Sequence, residues 1–341
     1  MAKKEKLMLA HKYNPAKNNI GGWFLSEKLD GHRAFWDGGV SRGMLKENVP
    51  WADTSKDERL RTTQVSTGLW SRLGNVIHAP DWWLDELPEI CLDGELWITQ
   101  NSRQRLFKIV KKHVPRLSGW KCVRFMCFDN PPLRAISGHL EALGFGVIED
   151  LRTPFKYVLE TLRSSFRGTT PSVAEAIEQV ILPNDPETAE IVAFRTLDSM
   201  TQNGSEGIML RNPESTYQAI RSHNLLKLKK LSYGSGMVIG YVTGRRTTKG
   251  SKLLGLMGAL VVQLADGQQL ELSGFTNLER ILVDSTYLDG FTAIEWAEAH
   301  PGSLCPSWIT AINFPRKSYV HFMYRGLSNT GIPQEARFCR T

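Results

Sequence analysis

The residues best suited to chemistry begin with Ser26-Glu27-Lys28-Leu29-Asp30-Gly31-His32-Arg33. A lysine amine is a good nucleophile only when deprotonated, so its ordinary pKa of about 10.4 must be lowered by nearby cations or by desolvation. Arg33, and cations converging from elsewhere in the chain, would do that. Leu226-Lys227-Leu228-Lys229 alternates apolar and basic residues, and as a strand it puts both lysines on one face. Such a pair is either a solvated edge strand or a device that neutralises the charge moving in phosphoryl transfer. Carboxylates come from two further places, Leu92-Asp93-Gly94-Glu95-Leu96 and Ser205-Glu206-Gly207-Ile208-Met209-Leu210-Arg211. A glutamate in a buried strand is costly unless it is paired or metal-bound. Hard oxygen ligands of this sort suit Mg2+, which normally also takes phosphate oxygens and water. Taken singly, each motif is weak, and Lys28 to Arg33 also reads as a turn between strands.

The elements that must position these groups fall into two regions. In the first, strands and helices alternate. Leu92 to Ile98 and Val123 to Phe128 are expected as buried strands, and Pro186 to Met200 as a helix with apolar spacing at Ile191, Phe194 and Leu197. Ser232-Tyr233-Gly234-Ser235-Gly236 reads as a flexible linker. Beyond it the pattern becomes β-rich. Met237 to Val242, Ala259 to Leu264, Gln269 to Leu272 and Tyr319 to Tyr324 are candidate strands, with Ala265-Asp266-Gly267 as a hairpin turn. The expected domains are 1–231 and 232–341, the second a small β-barrel.

Composition excludes several classes. With 341 residues, 41% hydrophobic and 23% charged, the chain can bury two ordinary cores and is neither disordered nor fibrous. No apolar run reaches the roughly 18 residues of a membrane span, and the basic start Met1 to Lys6 lacks the apolar stretch of a secretory signal. A cytoplasmic protein with no membrane association is expected. Cys91, Cys122, Cys127, Cys305 and Cys339 form no CxxC pair, so free thiols are expected rather than disulfides or a zinc site. A net charge of +7 favours polyanionic partners without identifying one.

The order of the motifs is the strong signal. Lys28 in K-x-D-G-x-R, the D-G-E of Glu95, Phe128-Asp129, the E-G-x-M of Glu206, and the L-K-x-K of Lys227 and Lys229 follow one another. This series resembles the covalent nucleotidyltransferase superfamily of DNA ligases, RNA ligases and mRNA capping enzymes. Ser26 to Asp37, Ala79 to Trp83 with Leu92 to Trp97, and Met257 to Leu264 with Gly274-Phe275 narrow the resemblance. They are similar to the minimal ATP-dependent DNA ligases of bacteria and bacteriophages, over nearly the whole chain. The resemblance implies an α+β fold, with an ATP-grasp-like nucleotidyltransferase (adenylation) domain followed by an OB-fold β-barrel.

It also implies residue roles. Lys28 attacks the α-phosphate of ATP and becomes covalently adenylylated, with Glu27 and Arg33 in the same nucleotide site. Glu95 holds the ribose or a metal, Phe128 stacks on adenine, Glu206 binds metal, and Lys227 and Lys229 contact the α-phosphate. The cofactors are ATP and Mg2+, with Mn2+ as a substitute, and the partner is nicked duplex DNA, bound by a monomer without an obligate protein partner. An arginine that contacts the nick has two candidates, Arg42 in Ser41-Arg42-Gly43 and Arg72 in Ser71-Arg72-Leu73-Gly74-Asn75. Arg72 is favoured, because the residues that follow it continue as the relatives do. Residues 41–67 then form an insertion whose five basic residues (Arg42, Lys46, Lys56, Arg59, Arg61) face four acidic ones (Glu47, Asp53, Asp57, Glu58), and it is either a DNA clasp or a surface excursion. At the end of the chain, Arg337 and Arg340 are expected to orient pyrophosphate, where relatives usually carry Arg-x-Arg and this sequence stops at Thr341. An RNA ligase or a GTP-dependent capping-type enzyme is the nearest alternative. A non-catalytic nucleic-acid binder is another, and an NAD-dependent ligase would need modules before Lys28 that 27 residues do not supply.

Overall fold

The computed structural model describes residues 7–53, 58–137, 152–166, 173–248, 250–286, 290–328 and 330–340. Of the residues discussed above, Met1 to Lys6, Lys56, Asp57 and Thr341 lie outside them. The chain divides into two compact units, Met1–Lys229 and Lys230–Thr341.

The first unit is built on ten strands among the described residues. They are β1 (Leu9–Lys12), β2 (Phe24–Lys28), β3 (His32–Asp37), β4 (Leu69–Ser71), β5 (Cys91–Trp97), β6 (Arg124–Asp129), β7 (Ala174–Ala176), β8 (Gln179–Ile181), β9 (Gly207–Arg211) and β10 (Arg221–Leu228). They form two five-stranded sheets, β1-β10-β9-β2-β8 and β4-β3-β5-β6-β7. Chain segment Leu29–Gly31 therefore leaves the first sheet at Lys28 and enters the second at His32. Gly31 is required there: a Cβ would stand 2.2 Å from the Leu96 carbonyl oxygen and 2.7 Å from Glu95 Cγ. Along β6 burial alternates with the period of two that a strand imposes. Phe125 and Cys127 enter the core, while Met126 and Phe128 face the other way. The core of the second sheet gathers Trp83, Trp120 and Phe125, with the Trp83 indole donating to the Val123 carbonyl at 3.0 Å.

The helix Pro186–Gln202 begins where Asp185 accepts from the Thr188 amide at 2.8 Å and proline occupies the first turn. Its buried face is Ala189, Ala193 and Leu197, packed with Leu25, Ile208 and Leu210 of the first sheet. Ile191 and Phe194, expected on that face, are exposed. Two of the three buried positions, four residues apart, carry the small side chain of alanine.

The described residues of 41–67 pack onto the first unit. Val49, Trp51, Ala52 and Val65 share a core with Leu7, Met8, Phe35 and Trp70. At the base of this segment the Asp37 carboxylate accepts from the Ser41 hydroxyl and from the Trp70 indole, the latter at 2.9 Å.

The second unit contains β11 (Ser232–Thr243), β12 (Met257–Gln263), β13 (Gln269–Leu272), β14 (Leu282–Asp284), β15 (Ile309–Ala311), β16 (Tyr319–Tyr324), β17 (Gly326–Leu327), β18 (Pro333–Gln334) and β19 (Arg337–Phe338). Its main sheet runs β13-β12-β11-β16-β19. The two outer strands meet at a bridge between Ser273 and Arg337, where the Phe338 amide donates to the Ser273 carbonyl at 2.7 Å. The sheet is thus drawn round on itself over a core that includes Tyr241, Leu260 and Phe322, as an OB-type barrel requires. The hairpin turn lies where expected, with Gly267 at φ 83°.

The expected linker is corrected by this unit. Ser232 to Gly236 are the opening residues of β11 and pair in unbroken register with Tyr324 back to Val320 of β16. Their glycines serve close packing rather than flexibility. A Cβ on Gly234 would meet the Phe322 ring at 2.8 Å, and one on Gly236 would meet Val262 Cγ1 at 2.4 Å. Gly236→Ala is accordingly expected to destabilise the protein by about 1–3 kcal/mol through overpacking, read by urea unfolding. An unchanged midpoint would restore the linker reading.

Candidate active site

A cavity of about 530 Å³ in the first unit is lined from both sheets, and Lys28, Glu95, Phe128, Glu206 and Lys227 all reach it. Lys28 comes from the end of β2, Glu95 from β5, Phe128 from the outward face of β6, and Glu206 from the turn just before β9. Lys227 is near the end of β10, and Lys229 directly follows that strand.

Glu206 is the hub. One of its carboxylate oxygens is ion-paired with the Lys28 ammonium and the other with that of Lys229. Burial raises the cost of its charge, yet the two lysines together hold the carboxyl below the usual range. Burial pushes Glu95 up to about 7; the charges of Lys28 and Arg33 oppose that rise, whereas Glu206 and Asp93 add to it. Glu27 accepts from Gln100 Nε2 at 2.6 Å and from the Ser205 hydroxyl at 2.5 Å, which fixes the backbone on the amino side of Lys28.

Arg33 reaches the same cavity. It is not a bare cation beside Lys28, because its guanidinium donates twice to Asp93, at 2.8 and 2.6 Å, and once to the Met8 carbonyl at 3.0 Å. It also lies over the Phe128 ring, 4.8 Å from the centroid, and so holds that ring at the cavity wall. Asp93 is fully buried and also accepts from the Tyr217 hydroxyl at 2.7 Å. A second buried pair, Arg211 and Asp129 at 3.4 Å, borders the same cavity, and burial raises Asp129 to about 6. An aspartate in an apolar strand is a sequence signal for a buried partner. Tyr217 and Arg211 carry no such signal, since their partners are remote in the chain.

The remaining candidates separate. Arg72 lines the cavity beside Arg103 and Phe107. It contributes, after burial and the charges of Lys111 and Arg103, to holding His32 down at about 4. Arg42 is engaged elsewhere, ion-paired with Asp81 and, at 3.0 Å, with Asp85. In the second unit Arg337 is exposed on β19. Arg340, expected to be available to pyrophosphate, instead grips both oxygens of Glu279 at 3.0 and 2.6 Å, and that contact draws the Glu279 carboxyl down to about 2.

Glu95 suits a hard divalent cation, for which its ionised form is stabilised by a positive charge and destabilised without one. Glu206 offers the same chemistry only on releasing its lysines. All five cysteines are free thiols. Among the described residues no helix is long and apolar enough to cross a membrane.

No family model matches the chain. It is 25% identical over 334 residues to a DNA ligase of Haemophilus influenzae, covering 98% of this chain and 91% of that protein. A solved structure from work on DNA binding with a minimal scaffold by Lig E DNA ligases superposes with a TM-score of 0.67. It is 26% identical, with 98% of both chains covered. A second, Pmar-Lig_PreS3, gives a TM-score of 0.64 at 19% identity over 98% of this chain and 67% of that one, a likeness of fold.

Proposed function

We infer that this chain is an ATP-dependent DNA ligase of the minimal two-domain kind, sealing 5′-phosphate/3′-hydroxyl nicks in duplex DNA. Relatives named as DNA ligases match it over nearly its full length, in sequence and in fold. The observation that carries the assignment of Lys28 is its setting. Glu206 links it to Lys229 in a cavity that Glu95, Phe128 and Lys227 also line, although these groups come from five separate stretches of chain.

In the first of three phosphoryl transfers, the Lys28 nitrogen forms a bond to the α-phosphorus of ATP and pyrophosphate leaves. The ammonium must give up a proton and its ion pair with Glu206 before it can attack. Lys227, which lines the cavity, and Lys229, which is paired with Glu206, are proposed to supply positive charge against the α-phosphate. Next, the 5′-phosphate at the nick takes AMP from Lys28; last, the 3′-hydroxyl displaces AMP and closes the strand. Arg72 is proposed to touch the nick, and Arg337 and Arg340 to act on pyrophosphate once Arg340 leaves Glu279. Bound Mg2+, held by Glu95 and in part by Glu206, would supply further charge neutralisation at the transferring phosphorus. The protein is proposed to act as a cytoplasmic monomer.

The pH dependence of metal use follows from Glu95. Because burial pushes this carboxyl up to about 7, a proton competes with Mg2+ for it increasingly as pH falls through that range. Apparent Mg2+ affinity in adenylylation is expected to rise as pH passes from about 6 to about 8. In Glu95→Gln the affinity is expected to be weaker and its pH dependence flat over the same range; a wild-type affinity already flat there would contradict the role.

Substrate class is tested with a labelled 5′-phosphate at a nick in duplex DNA, and at the same nick with RNA strands. Sealing of the DNA nick is expected. Sealing of the RNA nick alone would replace the reading with an RNA ligase.

A further inference from the structure

Four strands of the first sheet present one row of side chains to the cavity. Lys227 is opposite Met209, Met209 opposite Ser26, and Ser26 opposite Gln179. All four line the cavity. Strands lie about 4.8 Å apart, so the row spans roughly 14 Å from an ammonium to an amide. Lys28 is two residues beyond Ser26 and on the same face. A nucleotide held here would set its phosphates against Lys28 and Lys227 and its base toward Met209, Ser26 and Gln179, beside Phe128.

Gln179 differs from its neighbours in having a fixed hydrogen-bonding polarity. Its Nε2 donates to the Phe128 carbonyl at 3.2 Å. A carbonyl only accepts, so the amide nitrogen has to stand on that side and Oε1 is turned away from it. Oε1 makes no hydrogen bond among the described residues. The residue is 6% exposed, and its backbone is held by pairing with Ser26 and by Arg163, whose guanidinium donates to the Gln179 carbonyl at 2.7 Å. The result is a buried, immobilised acceptor on the cavity wall.

We propose that Gln179 selects the base: its Oε1 accepts from the exocyclic 6-amino group of adenine and rejects a 6-oxo purine. Against guanine, O6 would face Oε1 acceptor to acceptor. Turning the amide over would set Oε1 against the Phe128 carbonyl, so the mismatch cannot be relieved locally. Ser26 cannot discriminate alone, because a hydroxyl rotates to donate or accept. The proposal rests on the adenylylation of Lys28 inferred above.

The test follows adduct formation at Lys28 by intact mass, at varied concentrations of ATP, GTP and purine riboside triphosphate, which has no group at C6. The wild-type protein is expected to use ATP roughly 10- to 100-fold better than the unsubstituted purine, since that analogue leaves Oε1 unpaired. Gln179→Leu keeps the volume but offers no acceptor. It is expected to erase that preference and to raise KM for ATP more than it lowers kcat; Gln179→Met serves if the leucine variant does not fold. A preference that survives the substitution overturns the role of Gln179 even if the variant is slower, because general damage slows both nucleotides alike. A wild-type protein that forms no adduct with any nucleotide overturns the reading of the site, and the role of Gln179 with it.

Discussion

Lys28→Ala is expected to lower nick sealing from ATP by at least about 10⁴-fold, the scale at which loss of a covalent nucleophile is felt. Lys227 and Lys229 cannot replace it. Lys229 holds the far oxygen of Glu206, and Lys227 is across β9 from the strand that carries Lys28. Lys28→Arg is expected to fail equally, because a guanidinium keeps its proton and is no nucleophile. The loss belongs to the first two steps only. A nick whose 5′ end already carries AMP bypasses the lysine, so the same variant should seal it with a far smaller deficit. Equal deficits on both substrates would mean that Lys28 holds the site together rather than reacting.

Asp93→Ala should be the most destabilising single change near the site. Asp93 is fully buried and receives two hydrogen bonds from Arg33, the residue that lies over the Phe128 ring, and one from Tyr217. Removing it leaves a guanidinium without its counter-charge and a buried hydroxyl without an acceptor. Breaking one side of such a pair costs about 3–5 kcal/mol. Asp93→Asn, which keeps the volume and one acceptor oxygen, is expected to cost less. Urea unfolding gives both numbers, and an alanine variant as stable as the wild type would show that Arg33 finds another partner or reaches water.

What could be read from the sequence followed a physical pattern. The apolar runs 92–98 and 123–128 were legible as strands, and the structure has them at Cys91–Trp97 and Arg124–Asp129; which of their residues face the cavity was not, because that depends on the neighbouring sheet. Leu226-Lys227-Leu228-Lys229 was legible as a strand in the same way, as far as Leu228. The face of the helix Pro186–Gln202 was legible only in part: Leu197 is buried as expected, whereas Ile191 and Phe194 are exposed and Ala189 and Ala193 take the remaining buried positions. Ser232 to Gly236 misled in a related way: a glycine that makes room for Phe322 or Val262 looks the same in sequence as one that supplies flexibility. Arg33 was legible as a cavity residue, but its hold on Asp93 and on the Met8 carbonyl was not, because those partners lie 60 and 25 residues away. Gln179 carried no signal at all. Its meaning comes from one carbonyl on a neighbouring strand.

The central claim is tested most directly by locating the covalent step. The protein, first freed of any bound AMP with pyrophosphate, is incubated with Mg2+ and either ATP or GTP. Its intact mass is then recorded and the modified peptide sequenced. A gain of one AMP, from ATP only and on Lys28, is the predicted result. No gain with either nucleotide, or a gain at another residue, would contradict the account and leave a nucleic-acid-binding fold without this chemistry.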